Sequence, residues 1–216
     1  MSTFSDSFTG TANPLGGVWA APAGSPGATP GLQKGLGGPS NNIQGAYNSN
    51  GGDGLQHATY FNSPTFVGDQ TATCTVGAFN TSDTMYLCVR MQSGADTYYG
   101  VSLLGSPVLT KRVAGVNSTL ATGSGITNTA GDVWSLQVST SGSNAVFVVQ
   151  QNSITIAALN YTDTTSVITG GQPGLAYTAN NTGHASVFSS FSAVDTGGGA
   201  TGQPPMYTQR KVLYFI

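Results

Sequence analysis

The chain has 216 residues, of which only six are Lys or Arg and eight are acidic, and every acid is Asp. A net charge of −2 on so few ionised groups excludes nucleic acid as a partner, because phosphate neutralisation supplies most of that affinity. The missing Glu excludes any mechanism built on a glutamate acid, base or metal ligand.

The opening Met1–Asp6 has neither a basic region nor an apolar stretch, so no secretory signal is expected. No apolar run approaches the roughly 20 residues that span a bilayer, so no membrane partner is expected and synthesis in the cytoplasm is. Residues 10–42 hold five of the ten prolines and many glycines, and read as irregular coverage. Residues 55–61 read as a strand with His57 half-exposed. Residues 71–79 and 85–91 are strands around a polar tip at 80–82. As a hairpin they would set Cys74 opposite Cys88 and permit a disulfide, although cytoplasmic synthesis favours two reduced, buried thiols.

Tyr98–Leu104 follows a turn at Ser93–Asp96, and Trp134–Val138 alternates apolar and polar residues as a half-buried strand does. Ala145–Gln150 turns at Gln151-Asn152 into Ile154–Ala158. Val148 and Ile156 join Leu87, Val89, Leu136 and Val138 as core candidates. Residues 160–183 are turn-rich, with a loop over Thr169–Gly174. No window of a dozen residues reads as an amphipathic helix. Strands at this spacing predict a sandwich or barrel.

The chain divides into a domain over 1–195, a Gly/Pro-rich linker over 196–205 and an arm over 206–216. The arm ends Val212, Leu213, Tyr214, Phe215, Ile216. Each large apolar side chain that can be buried contributes about 1.5–3 kcal/mol, so these five residues are expected to dock on a partner or a further copy. Return to the chain's own sandwich as an extra edge strand is the alternative.

Carbohydrate sites combine flat aromatic faces with a few fixed polar groups, and Tyr47, Tyr60, Arg90, Tyr98 and Tyr99 are the candidates. Tyr98 and Tyr99 are adjacent and must face opposite ways, one into the core and the other outward or to an interface. The two His and two Cys are too scattered for a transition-metal site, and turn chemistry explains Gly52-Asp53-Gly54 and Gly68-Asp69 without calcium. No metal, no cofactor and no catalytic residue is expected.

Asp6-Ser7-Phe8 followed by Leu15-Gly16-Gly17-Val18-Trp19 resembles the opening of concanavalin A-like lectin/glucanase (laminin G-like) jelly-roll domains of bacteria and phages. Leu87-Cys88-Val89-Arg90, Tyr98-Tyr99-Gly100-Val101, Gly131–Leu136, Asp163 with Ile168–Leu175, and Ser186–Phe191 resemble later segments in the same order. The resemblance spans residues 4–195. It implies an all-β, two-sheet antiparallel jelly-roll sandwich whose first and last strands pair, around Phe4–Phe8 and Phe188–Phe191. It implies no activity, since the fold serves many. Glucanases of this fold carry two Glu and an intervening Asp on one strand; this chain has no Glu, and no two Asp stand two apart. The function expected is that of a non-enzymatic structural virion protein of a phage: a capsid decoration, head-fibre or tail-associated jelly roll. It would be made in the host cytoplasm and held in the virion by its C-terminal arm, through other virion proteins or copies of itself. The alternative is a carbohydrate-binding module for adhesion or receptor recognition, facing a cell-surface glycan.

Overall fold

The structure, a computed structural model, describes residues 2–12, 15–26, 32–37, 43–48, 54–66, 68–178 and 186–196. The linker beyond 196, the arm over 206–216, Asp53 and His184 lie outside the described residues, and of Tyr47 only the backbone is described. Sixteen strands are present among them: β1 (Thr3–Asp6), β2 (Trp19–Ala20), β3 (Leu32–Gly37), β4 (Ile43–Asn48), β5 (Gln56–Phe61), β6 (Gln70–Ala78), β7 (Thr84–Met91) and β8 (Tyr98–Ser102). There follow β9 (Val108–Val113), β10 (Val116–Thr122), β11 (Val133–Ser141), β12 (Asn144–Gln151), β13 (Ile154–Thr155), β14 (Tyr161–Asp163), β15 (Gln172–Thr178) and β16 (Val187–Asp195). The one helical element described is a 3₁₀ turn at Ala157–Leu159. It takes Ala157 and Ala158 out of the strand expected there.

Two antiparallel sheets result. The nine-stranded sheet runs β13-β12-β11-β6-β16-β4-β3, with β1 beside β16 and β14 beside β12; the seven-stranded sheet runs β10-β9-β8-β7-β15-β5-β2. The first and last strands pair as the resemblance implies, Phe4 opposite Ala193 and Asp6 opposite Phe191. Consecutive strands often change sheet, as in a jelly roll, and this overturns the hairpin expected around residues 80–82. β6 and β7 lie in opposite sheets, so Cys74 packs in the core while Cys88 packs on the outer face of the seven-stranded sheet. Both are free, buried thiols.

The core between the sheets follows the pleat. β6 alternates buried and half-buried residues along its whole length. Leu87, Val89, Leu136 and Val138 are buried as expected. Val148 is only half-buried, because β12 turns Ala145, Phe147 and Val149 inward instead, whereas Ile156, just beyond β13, packs half-buried against the core. Residues 145–149 are apolar without a break, so the phase of the strand is set by its partner β11 and not by its own pattern. At one end Phe4 stacks on Phe61, and Trp19 meets Phe191 edge-on at 5.2 Å. Asp6 fixes this cluster by accepting from the Trp19 indole N–H at 2.9 Å and from the Phe8 N–H at 2.7 Å.

Three segments depart from their expected character. The Pro-rich region over 10–42 contributes strands β2 and β3 as well as coverage. His57 is fully buried, with Nδ1 2.8 Å from the Pro26 carbonyl. Pro173, expected in a loop, lies in β15 between β7 and β5. The strand accepts it because the register with β7 shifts between Gln172 and Gly174, which is where a missing N–H does least harm. Gly174 is required there, since a Cβ would collide with the Thr59 carbonyl oxygen and the Met91 sulfur.

A polar brace crosses the core at the β8–β9 side. Asp163 accepts from the Tyr99 hydroxyl at 2.6 Å and from Lys111 Nζ at 2.8 Å, and Lys111 also donates to the Thr165 carbonyl. The Ile168 N–H donates to the Tyr99 oxygen, so the whole 163–168 segment is tied to the sheet below. Burial alone would raise the Asp163 carboxyl, but the bonds from Lys111, Tyr99 and the Thr165 N–H outweigh it and hold its pKa below the usual value.

Two outcomes follow. Phe147→Ala lowers stability by about 3–5 kcal/mol in denaturant titration while Val148→Ala lowers it far less; equal effects would mean that β12 has the other phase. Because the folded pKa of Asp163 is depressed, its contribution is complete above the unfolded value of about 3.9 and is lost as pH falls through the folded value. Wild-type stability therefore falls in this acid window more steeply than that of Asp163→Asn, as read from melting temperatures between neutral pH and the acid limit.

Candidate functional site

The seven-stranded sheet is not flat. Arg112 on β9 donates from Nη1 to Gln56 Oε1 on β5 at 3.1 Å, and Asn117 on β10 donates to the same oxygen at 2.9 Å. In sheet order β5 lies four places from β9, about 19 Å away in a flat sheet at ordinary strand spacing. That is farther than an Arg and a Gln side chain reach together. The sheet must curl until its two sides meet, so its outer face is concave. A clasp of Gln56, Arg112 and Asn117 closes it.

The clasp encloses a second, smaller apolar cluster: Ala58, Tyr60, Cys88, Met91, Tyr98 and Ala176. Tyr98 and Tyr99 do face opposite ways, Tyr99 into the core and Tyr98 onto this concave face, yet both are fully buried. The segment after β2 adds cover. Its Ala23 N–H donates to the Ser93 carbonyl at 3.0 Å, and its Ser25 hydroxyl accepts from the Ala58 N–H.

An ion pair completes the network. Arg112 donates from Nε to Asp96 Oδ2 at 2.9 Å and places Nη2 2.7 Å from the same oxygen. Asp96 and Arg112 are both nearly buried, and the guanidinium carbon lies 6.0 Å from the Tyr98 ring centroid. Around this pair three buried polar atoms have no hydrogen-bond partner among the described residues: Asp96 Oδ1, the Tyr98 hydroxyl and Gln56 Nε2. Each such atom costs about 1–3 kcal/mol if nothing reaches it, and native chains carry few. Burial raises the Tyr98 phenol well above its ordinary value, so the hydroxyl stays protonated and can donate. Beside the network lies a cavity of about 320 Å³ lined by Ala23, Gly24, Gly94, Ala95, Asp96 and Ala114, with Asp96 common to both.

The residues expected to hold a sugar separate. Tyr60 and Tyr98 share the concave face, but Tyr60 is 7% exposed and Tyr98 is closed off, so neither presents an open aromatic platform. Tyr99 belongs to the core brace. Arg90 is 2% exposed and turned away by a bulge at φ +54°, donating to the Ile168 carbonyl and the Thr140 hydroxyl. Those four fail as surface contacts because this sandwich buries the outer face of one sheet as well as the inner ones. Gln56, Asp96, Arg112 and Asn117 are the residues that sequence reading missed. Arg112 had one signal: two adjacent cations on a strand, in a chain with six, must place one on each face.

Among the described residues no group of three His, Cys or Asp side chains is placed to hold a metal ion. No protein-family model matches the sequence, and no curated protein matches it. Solved structures do match in fold. A Bacillus subtilis protein of unknown function with a galectin-like fold aligns at 12% identity and a TM-score of 0.55, covering 82% of this chain and 89% of its own. The Ca2+-bound exoplasmic/lumenal domain of VIP36 aligns at 10% identity and 0.50, covering 89% of each. An engineered GH43 glycoside hydrolase aligns at 15% identity and 0.50, over 90% of this chain and 41% of the enzyme. With two antiparallel sheets, crossing connections and paired first and last strands, the chain is a concanavalin A-like jelly-roll sandwich.

Proposed function

We propose that the protein is a carbohydrate-binding module that holds its ligand at the cavity beside Asp96. The observation that carries this reading is the cavity itself, whose one charged lining residue, Asp96, is held in place by Arg112 at 2.9 and 2.7 Å. Around that carboxylate the lining is small and apolar, so the cavity offers a fixed acceptor to a hydroxyl and room for the carbon face of a sugar ring. The cavity volume suits one or two small rings rather than an extended chain. Arg112 is already neutralised by Asp96 and spends both Nη1 donors on Gln56 and Asn117, so it offers no free fork to an acidic sugar. The ligand is therefore a neutral glycan. The lectin-like and glycosidase folds that align with the chain support the reading at the level of fold alone.

The role is binding rather than hydrolysis. Asp96 is committed to Arg112, and glycoside hydrolysis needs two carboxyls with separated duties. The virion setting rests on the arm over 206–216; a glycan-binding sandwich displayed on a particle would use the same cavity.

Gly94→Trp tests the site, because a Cβ at Gly94 meets nothing within 4 Å and an indole there occupies the cavity. On an array of neutral glycans the wild type is retained, and Gly94→Trp binds roughly tenfold more weakly with an unchanged melting temperature. No retention of the wild type by any neutral glycan, or unchanged binding by a folded Gly94→Trp, would overturn the proposal.

A further inference from the structure

A sandwich has four sheet edges, and three are blunted here. β2 is two residues long and runs towards Pro22; β13, β14 and β1 are two, three and four residues long; β3 is met by Ala12 and Leu15, which bond to Lys34 and Leu32. β10 differs. It is seven residues long, carries no charge and no proline, pairs only with β9 among the described residues, and is exposed over its first four residues. Such an edge is a template for a further strand.

Apolar side chains gather on the same flank. Val116 on β10 is 69% exposed and Val113, its partner at the end of β9, 49%, while Ile154 and Tyr161 stand on the short strands of the other sheet at 73% and 37%. These four are half of the large apolar side chains exposed among the described residues. We propose that the flank is covered by the chain's own C-terminal segment, Val212–Ile216, added to β10 as an eighth strand of the seven-stranded sheet.

The segment matches its site in chemistry and reach. It is five uncharged, strand-forming residues about 17 Å long, shorter than β10 and able to lie within it. The chain leaves the sandwich at Thr196, whose N–H donates to the Asp69 carbonyl, and the next residue, Gln70, accepts from the Arg90 N–H near the end of β7. Asn117 lies at that same end of the sheet, through the pairs Asn117–Arg112 and Arg112–Tyr98. From β7 to a strand added beyond β10 is four strand spacings, and with one sheet separation the gap is about 22 Å. Residues 197–211 form a Gly-, Pro- and polar-rich tether of fifteen residues with a root-mean-square span of roughly 19–23 Å. Tether and gap agree, which is the condition for millimolar effective concentration, so the chain's own segment outcompetes one from another molecule at ordinary concentrations.

Hydrogen exchange on the whole protein, against a variant lacking residues 206–216, decides the matter. The expected result is that β10 amides not bonded to β9 exchange at least tenfold faster in the deletion, while β6 and β11 amides are unaffected and both proteins sediment as monomers. Leu213→Asp with Phe215→Asp leaves the sandwich intact and reproduces the deletion. Equal β10 exchange in all three would overturn the proposal. Protection that grows with protein concentration alongside a dimer mass would overturn it too, by assigning the edge to a second copy.

Discussion

Lys111 and Arg112 are neighbours on one strand, and the pleat of β9 sends them to opposite faces of the sheet. The consequences reach most of the molecule. Lys111 enters the core and, with Asp163 and Tyr99, ties the 163–168 segment across the sandwich. Arg112 goes outward and gathers Asp96, Gln56 and Asn117. A slip of one residue in β9 would exchange the two and leave both without their carboxylates. Buried charges are expensive unless paired and further hydrogen-bonded, so this strand has essentially one workable register.

The curl of the seven-stranded sheet follows from the outward half of that arrangement. A sheet of this width twists in any case. The bonds from Arg112 and Asn117 to Gln56 select a strongly curled form, in which the outer face becomes an enclosed surface with Tyr98, Cys88 and Ala176 fully buried. Low charge is coherent with that design. A chain that buries both faces of one sheet has less open surface to furnish with Lys and Glu, and among the described residues Asp6, Asp96, Lys111, Arg112 and Asp163 are placed where they fix geometry.

The fold was legible in the sequence because its signals are local. Alternation along Trp134–Val138, turn residues at 93–96 and the ordered segments from Asp6 to Phe191 each report on a short stretch of chain. Non-local facts were hidden. Nothing in Thr71–Met91 shows that β6 and β7 part company into different sheets, so the Cys74–Cys88 pairing looked sensible. Five consecutive apolar residues at 145–149 carry no period-two signal, so Val148 was assigned to the wrong face. Pro173 argued for a loop until a register shift made room for it. The candidate site was the least legible part. Its members come from β5, β9, β10 and the turn before β8, up to 61 residues apart, and meet only because a sheet curls. Tyrosines near one another in the sequence were a visible but misleading signal, since aromatic residues on strands fill cores as readily as they bind ligands.

The pairing of β1 with β16 has a consequence for how the domain can be joined to others. The Asp195 N–H donates to the Ser2 carbonyl at 2.8 Å, so the chain enters and leaves the sandwich side by side on antiparallel strands. A domain with that topology can be spliced into a surface loop of a host protein through two adjacent junctions, opening neither sheet. Its ends can equally be bridged by a short peptide and new ones cut at the exposed turn between β11 and β12. Either operation leaves the clasp untouched, because Gln56, Arg112 and Asn117 lie on strands that take no part in the junction.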